Sequence, residues 1–150
     1  MARRSRQSGP DTALDECACF KLRRAARAVT QLYDSALRGA GLRTTQFSIL
    51  GMLYGLSPLC MHELAERLGA DRTTLTRNLR PLERDGLVIV RPGLDRRVRE
   101  VEITAAGREA IRRAVPLWRN VQQEMRAKLG ADRLHETFDL LDQVTDAALD

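Results

Sequence analysis

Gly69-Ala70-Asp71-Arg72-Thr73-Thr74-Leu75-Thr76-Arg77-Asn78-Leu79-Arg80-Pro81-Leu82-Glu83-Arg84-Asp85-Gly86-Leu87-Val88-Ile89-Val90 decides the fold, together with the residues that follow it to Thr104. Gly69-Ala70 reads as a turn, and Asp71 as a helix cap whose carboxylate accepts from the free N–H groups of the next turn. Leu75, Leu79 and Leu82 recur at helical spacing and form one apolar stripe. Asp85-Gly86 ends the helix. Leu87–Val90 is short and β-branched, which predicts a strand. Pro92-Gly93-Leu94-Asp95-Arg96-Arg97 is a tight loop, and Arg99, Val101 and Ile103 alternate with polar residues as a returning strand does.

A helix, a hairpin and an arginine-tipped loop outline a winged helix. Off the leucine stripe lie Arg72, Thr73, Thr74, Thr76, Arg77, Asn78 and Arg80, side chains able to bond base edges or phosphates. From Asp71 to Arg99 there are eight Arg against four acidic residues, a net of +4, in a chain whose total is +5. A basic cluster on one element is the footprint of a nucleic-acid binder. Arginine on a helix is often just a solvated face, but here charge, helix and wing coincide.

Working outward, Met61–Leu68 predicts a short helix that completes a helix-turn-helix with the stretch after Asp71. Ahead of it, Phe47, Ile49, Leu50 and Leu53 mark a buried helix capped by Thr44 or Thr45, and Gly55-Leu56-Ser57-Pro58 a turn. Ala13 to about Arg38 reads as one long helix, with Leu22, Ala25, Ala26, Val29, Leu32, Tyr33, Ala36 and Leu37 as its apolar stripe. Beyond the wing, Thr104 caps a helix from Ala105 to about Leu129 that Pro116 should kink, and Gly130 breaks it. Asp132 is read as the cap of a final helix bearing Leu134, Phe138, Leu141 and Val144. That last piece carries six acidic residues and one Arg, so it must face away from DNA. Pro81 removes one backbone donor inside the reading helix and predicts a bend there.

The chain thus reads as one mainly α domain with a small β-hairpin wing. Residues 1–11 form a flexible arm, 44–104 the winged-helix core, and 12–40 with 105–150 flanking helices. These helices expose more apolar face than a winged helix needs, which predicts a homodimer. One hundred and fifty residues, 43% hydrophobic and 30% charged, suit a soluble domain. No run is long enough to cross a bilayer, and no apolar segment follows Arg3, Arg4 and Arg6 as in a secretory signal. Three cysteines cannot all pair in one chain, which favours a reducing, cytoplasmic setting. His62 and His135 lie on different helices, and no phosphate loop, GxSxG or HExxH is present, so nothing supports an enzyme. Cys17, Cys19, Cys60 and His62 are metal-ligand types without a standard zinc spacing. No cofactor is expected.

Several motifs in this order resemble the MarR family of bacterial transcription regulators: Leu64-Ala65-Glu66-Arg67-Leu68, Thr73-Thr74-Leu75-Thr76-Arg77, Leu82-Glu83-Arg84-Asp85-Gly86-Leu87-Val88, Asp95-Arg96-Arg97 and Ile103-Thr104-Ala105-Ala106-Gly107. The resemblance runs from about Cys17 to the C-terminus. It implies a dimeric repressor on palindromic double-stranded DNA. Thr73, Thr74, Arg77 and Asn78 would meet bases, Arg97 a minor groove, Asp95 would hold the wing or orient that arginine, and Arg72, Arg80 and Arg96 would contact phosphate. It also implies a small aromatic or phenolic effector between the dimer helices and the reading unit. Cys19-Phe20-Lys21-Leu22 resembles the opening helix of the family's organic-hydroperoxide-sensing branch, which implies a reactive Cys19, and Tyr33 stands where that branch has a tyrosine; Cys17 or Cys60 is then the thiol that resolves an oxidised Cys19 as a disulfide. Arg23 and Thr44 occupy two other tyrosine positions of that branch. The other classes left open are a winged-helix protein adaptor that does not bind DNA and a metal-responsive regulator.

Overall fold

A computed structural model describes residues 14–149; the expected flexible arm at 1–11 lies outside them. The elements run α1 (Ala18–Leu37), a 3-10 turn (Arg38–Ala40), α2 (Thr44–Leu56), β1 (Leu59–Cys60), α3 (Met61–Arg67), α4 (Arg72–Arg84), β2 (Val88–Pro92), β3 (Arg99–Ile103), α5 (Ala105–Leu129) and α6 (Ala131–Leu149). The fold is mainly helical with one small antiparallel sheet, as expected, but the sheet has three strands in the order β1-β3-β2 rather than two. Leu59 pairs with Val101 and Cys60 with Glu100. A two-residue strand has no readable alternation, so sequence pattern passed over it. Its reason for being is tertiary: Ser57 Oγ accepts the Ile103 N–H at 3.0 Å, which draws this turn onto the edge of β3.

Period-2 alternation fixes the register of the wing. Val88 sits opposite Ile103 and Val90 opposite Val101. Val88, Val101 and Ile103 are buried, while Ile89 and Arg91 face outward. These join Leu37, Leu42, Ile49, Leu50, Leu53, Leu64, Leu75, Leu79, Leu82, Ala110, Ile111 and Ala114 in one core. Phe47 of α2 stacks on Trp118 of α5, with ring centroids 5.9 Å apart.

Three helix boundaries differ from the sequence reading. The opening helix is not continuous from Ala13: Leu14 and Asp15 are helical, but Cys17 is extended (φ −79, ψ 114) and serves as N-cap of α1. Its N–H closes a turn on the Leu14 carbonyl instead of continuing a helical ladder. Neither Thr44 nor Thr45 is the cap of α2. Arg43 occupies that position, and its N–H is taken by Gln46 Oε1 at 2.9 Å. The capping oxygen comes from ten residues away: Asp34 Oδ1 accepts both the Thr44 N–H (2.7 Å) and the Thr44 hydroxyl (2.6 Å). Asp132 lies inside the first turn of α6, which starts at Ala131. α4 and α5 run on through Pro81 and Pro116.

Two devices seat α4 and the wing. Gly86, at φ 70, ends α4 with its N–H on the Glu83 carbonyl and the Leu87 N–H on the Leu82 carbonyl, a Schellman turn that only glycine enters cheaply. Thr104 then ties strand to helix. Its hydroxyl bonds the Gly86 carbonyl at 2.7 Å and accepts the Gly107 N–H at 3.0 Å. Gly107 lies so close beneath that a β-carbon there would run into the Leu87 carbonyl oxygen.

Candidate nucleic-acid interface

The leucine stripe decides what α4 presents to solvent. With Leu75, Leu79 and Leu82 buried, the opposite ridge is Thr73, Arg77, Arg80 and Arg84, spaced four, three and four residues apart. All four are exposed. Arg84 is held by its neighbour, with Nε donating to Asp85 Oδ1 at 2.9 Å, which keeps its guanidinium firmly protonated. Arg72, Arg77 and Arg80 make no ion pair among the described residues, so three guanidiniums on one helix remain uncommitted.

Helix-capping chemistry sorts the threonines. Asp71 Oδ1 accepts the Thr74 N–H at 2.8 Å and Oδ2 the Thr74 hydroxyl at 2.7 Å. These bonds, backbone first, hold the Asp71 carboxyl below the usual carboxylate range. The Thr74 hydroxyl has spent its proton on the cap, so it can offer a base only its lone pairs and methyl. Thr76 donates its hydroxyl to the Arg72 carbonyl at 2.8 Å. Thr73 keeps its hydroxyl outside every such bond among the described residues. Of the threonines named from sequence, Thr73 is therefore the freest hydrogen-bonding group.

At the wing, Asp95 is a brace. Its Oδ1 accepts the Arg97 backbone N–H at 3.0 Å, while the Val98 N–H bonds the Asp95 carbonyl and the Gly93 N–H the Val98 carbonyl, both at 2.8 Å. Asp95 thus holds the loop, and among the described residues it makes no ion pair with the Arg97 guanidinium. Arg96 and Arg97 are exposed at the tip. The structure brings the two halves together: Arg97 and Arg99 share a cleft of roughly 450 Å³ with Arg72, Asp71 and His62. Arg72, Thr76, Arg80 and Arg99 line an adjoining hollow. The sequence offers Arg99 as a strand residue within the basic cluster but not as a neighbour of α4, because alternation reports which face a side chain takes and not what stands beside that face.

On its other flank, α4 meets the junction of α1 and α2. Arg77, Asn78, Pro81, Arg84 and Asp85 face Asp34, Arg38, Leu42 and Arg43 across a cleft of about 980 Å³.

The cysteines lie elsewhere. Cys19 is exposed on the first turn of α1 and Cys17 half-buried at its cap, beside Phe20, Arg23 and Arg27. Tyr33 stands fourteen residues on, about 21 Å along the helix axis, so it does not meet Cys19 of the same chain. Burial raises the Tyr33 phenol above its ordinary value. Cys60 caps α3, its Sγ accepting the Glu63 N–H at 3.4 Å. Among the described residues no three His, Cys, Asp or Glu side chains gather as a metal site, and Cys17, Cys19, Cys60 and His62 form none. No described helix is long and apolar enough to cross a membrane.

Against known proteins, residues 40–98 match the MarR family pattern. The chain is 49% identical to the Mycobacterium tuberculosis transcriptional regulator MosR, solved in complex with DNA, over 88% of this chain and 98% of that one, with a TM-score of 0.78. It is 27% identical to the PcaV transcriptional regulator of Streptomyces coelicolor, solved with its natural ligand, over 99% of each chain, also at a TM-score of 0.78. An uncharacterised helix-turn-helix regulator of Bacillus cereus is 27% identical over 71% of each chain.

Proposed function

The chain belongs to the MarR family of transcriptional regulators, and from that premise we propose that it is a cytoplasmic, sequence-specific repressor that binds a palindromic operator as a homodimer and lets go on a chemical signal. One observation carries this reading: the uncommitted arginines of α4, Arg72, Arg77 and Arg80, and the arginines of the wing lie together on one exposed face. Thr73 and Arg77, with Asn78 and the methyl of Thr74 beside them, are placed to meet bases. Arg72, Arg80 and Arg96 meet phosphate, and Arg97 enters the adjacent minor groove, where narrow A·T-rich stretches concentrate negative potential. Thr76 and Asp95 serve by holding their neighbours in place. The MosR structure with DNA supports the reading, since that relative shares half of its residues with this chain.

The dimer rests on what the isolated chain leaves uncovered. Val29 on α1, and Phe138, Leu141 and Val144 on α6, are 40 to 47% exposed, in two helices whose apolar stripes continue past the core. Burying those faces on a second copy is the direct way to remove them from water. Two reading helices roughly 34 Å apart would then span one turn of DNA. The signal is a small aromatic or phenolic effector, or an organic hydroperoxide acting at Cys19; the PcaV relative, solved with its natural ligand, supports ligand response in general. In the hydroperoxide case ROOH oxidises the Cys19 thiol to a sulfenic acid and leaves as ROH, and the thiol of Cys17 or Cys60 then displaces water to form a disulfide.

The test is selection of bound duplexes from a random pool, followed by affinity against salt for the selected and a scrambled duplex. A selected duplex bound at least a thousandfold more tightly than the scrambled one is the expected result. Equal affinity for both would overturn the regulator reading.

A further inference from the structure

We infer that the cleft between α4 and the α1–α2 junction is a second DNA-backbone seat, in which Arg38 and Arg43 hold phosphates of the same duplex that α4 reads. The inference rests on the proposed function, and it extends the DNA-contacting surface beyond the reading helix and the wing.

Charge comes first. Four guanidiniums (Arg38, Arg43, Arg77 and Arg84) surround this cleft against two carboxylates. Both carboxylates are occupied. Asp34 takes the N–H and hydroxyl of Thr44, and those bonds, with Arg43 and Arg38 close by, hold its carboxyl below the usual range. Asp85 is bound by Arg84. Arg38, Arg43 and Arg77 have no ion-pair partner among the described residues, and all three are exposed. The cleft therefore presents uncompensated positive charge from two elements that face each other.

Continuity comes second. Arg77 belongs both to this cleft and to the hollow formed by Arg72, Thr73, Thr76 and Arg80 on the reading ridge. A strand of DNA lying against that ridge continues into the cleft without leaving positive surface. The walls decide between a phosphate chain and an organic effector. Leu42, Pro81 and Gly41 are the apolar residues among twelve lining ones. A pocket for an aromatic molecule needs mostly apolar walls around a few polar groups, whereas a phosphodiester needs guanidiniums and access to water.

The geometry of Arg43 follows from the fold. As N-cap of α2 it has an extended backbone (φ −95, ψ 160), which turns it out of the helix. Asp34, by capping Thr44, fixes α2 to α1 and so fixes the distance between Arg38 and Arg43.

The experiment measures DNA affinity over a series of salt concentrations for the full chain, for Arg38→Gln, Arg43→Gln and the double variant, and for Arg43→Lys. Each Gln variant should bind selected and scrambled duplexes more weakly by the same factor. The slope of log K against log salt should fall by about one per arginine lost, and Arg43→Lys should keep the wild-type slope. Neither arginine has an ion pair to lose, so melting temperatures should stay at the wild-type value, and the single variants serve if the double one does not fold. Wild-type affinity and slope in both single variants would overturn the inference while leaving the regulator reading intact. Variants that keep DNA affinity but no longer respond to an anionic effector would also overturn it, by placing a small anion in the cleft. Failure of the wild type to discriminate any duplex sinks both readings and is distinguished by that control.

Discussion

At the scale of single residues, this chain separates polar groups left free on α4 and the wing, the proposed DNA contacts, from groups that hold them in place. Arg97 projects from a loop braced by Asp95 and is itself free. Arg97→Ala should weaken operator binding by about 1–3 kcal/mol without lowering the melting temperature. Arg80→Ala should weaken all duplexes alike and lower the salt slope by about one, while Arg77→Ala should relax base preference. Identical profiles for Arg77→Ala and Arg80→Ala would mean the faces of α4 are misassigned. Asp34 makes a prediction in pH. Its folded pKa is lowered, chiefly by the Thr44 hydroxyl, so its stabilisation is present above the unfolded value near about 3.9 and is lost as pH falls through the lower folded value. Asp34→Asn should therefore cost on the order of 1 kcal/mol at neutral pH and leave a shallower loss of stability below about pH 4, read from thermal melts across pH. Cys19→Ser tests the redox signal. Wild-type protein should lose operator affinity on treatment with organic hydroperoxide and regain it with a thiol reductant, and the variant should not respond. An equal response from Cys19→Ser assigns the signal to another group.

At the scale of elements, the wing and reading helix share one core through Leu75, Leu79, Leu82, Val88 and Val101, and a junction behind them fixes their ends. Thr104, Gly86, Leu87 and Gly107 lock the end of α4 to the start of α5. Gly107→Ala forces a methyl against the Leu87 carbonyl and the Ile103 side chain. Backbone cannot yield as a side chain can, so the expected loss is about 1–3 kcal/mol, visible as a lower midpoint in urea. A midpoint equal to wild type would show that α5 slides freely relative to the wing. The sequence located these elements by simple signs: Asp71 and Thr104 as caps, Gly86 and Gly130 as stops, alternation in β3. Two of its misses, the cap of α2 and the strand β1, fell where the stabilising partner is distant. The Asp34 cap of Thr44 spans ten residues and the Ser57 bond to Ile103 spans forty-six. No local pattern announces either.

At the scale of the whole molecule, assembly is the open consequence of the exposed faces of α1 and α6. Deleting residues 131–150 removes the face of Phe138, Leu141 and Val144 and uncovers the α5 surface beside Leu134. The truncated chain should be monomeric or aggregated by light scattering, with operator affinity lost. A soluble truncated dimer that still binds operator would place the dimer contact elsewhere. Sequence alone determined the helical class, the wing, the stripe that buries α4 and the basic cluster upon it, because periodicity, capping and charge are local properties. Tertiary structure decided which of those polar groups are free. Bonds within two to four residues spend the hydroxyls of Thr74 and Thr76 on the helix and make Asp95 a brace, whereas only the packing of distant elements sets Arg99, Arg38 and Arg43 beside the reading helix. The reason is that a side chain's availability depends on its nearest partner in space, and folding brings in partners from anywhere along the chain.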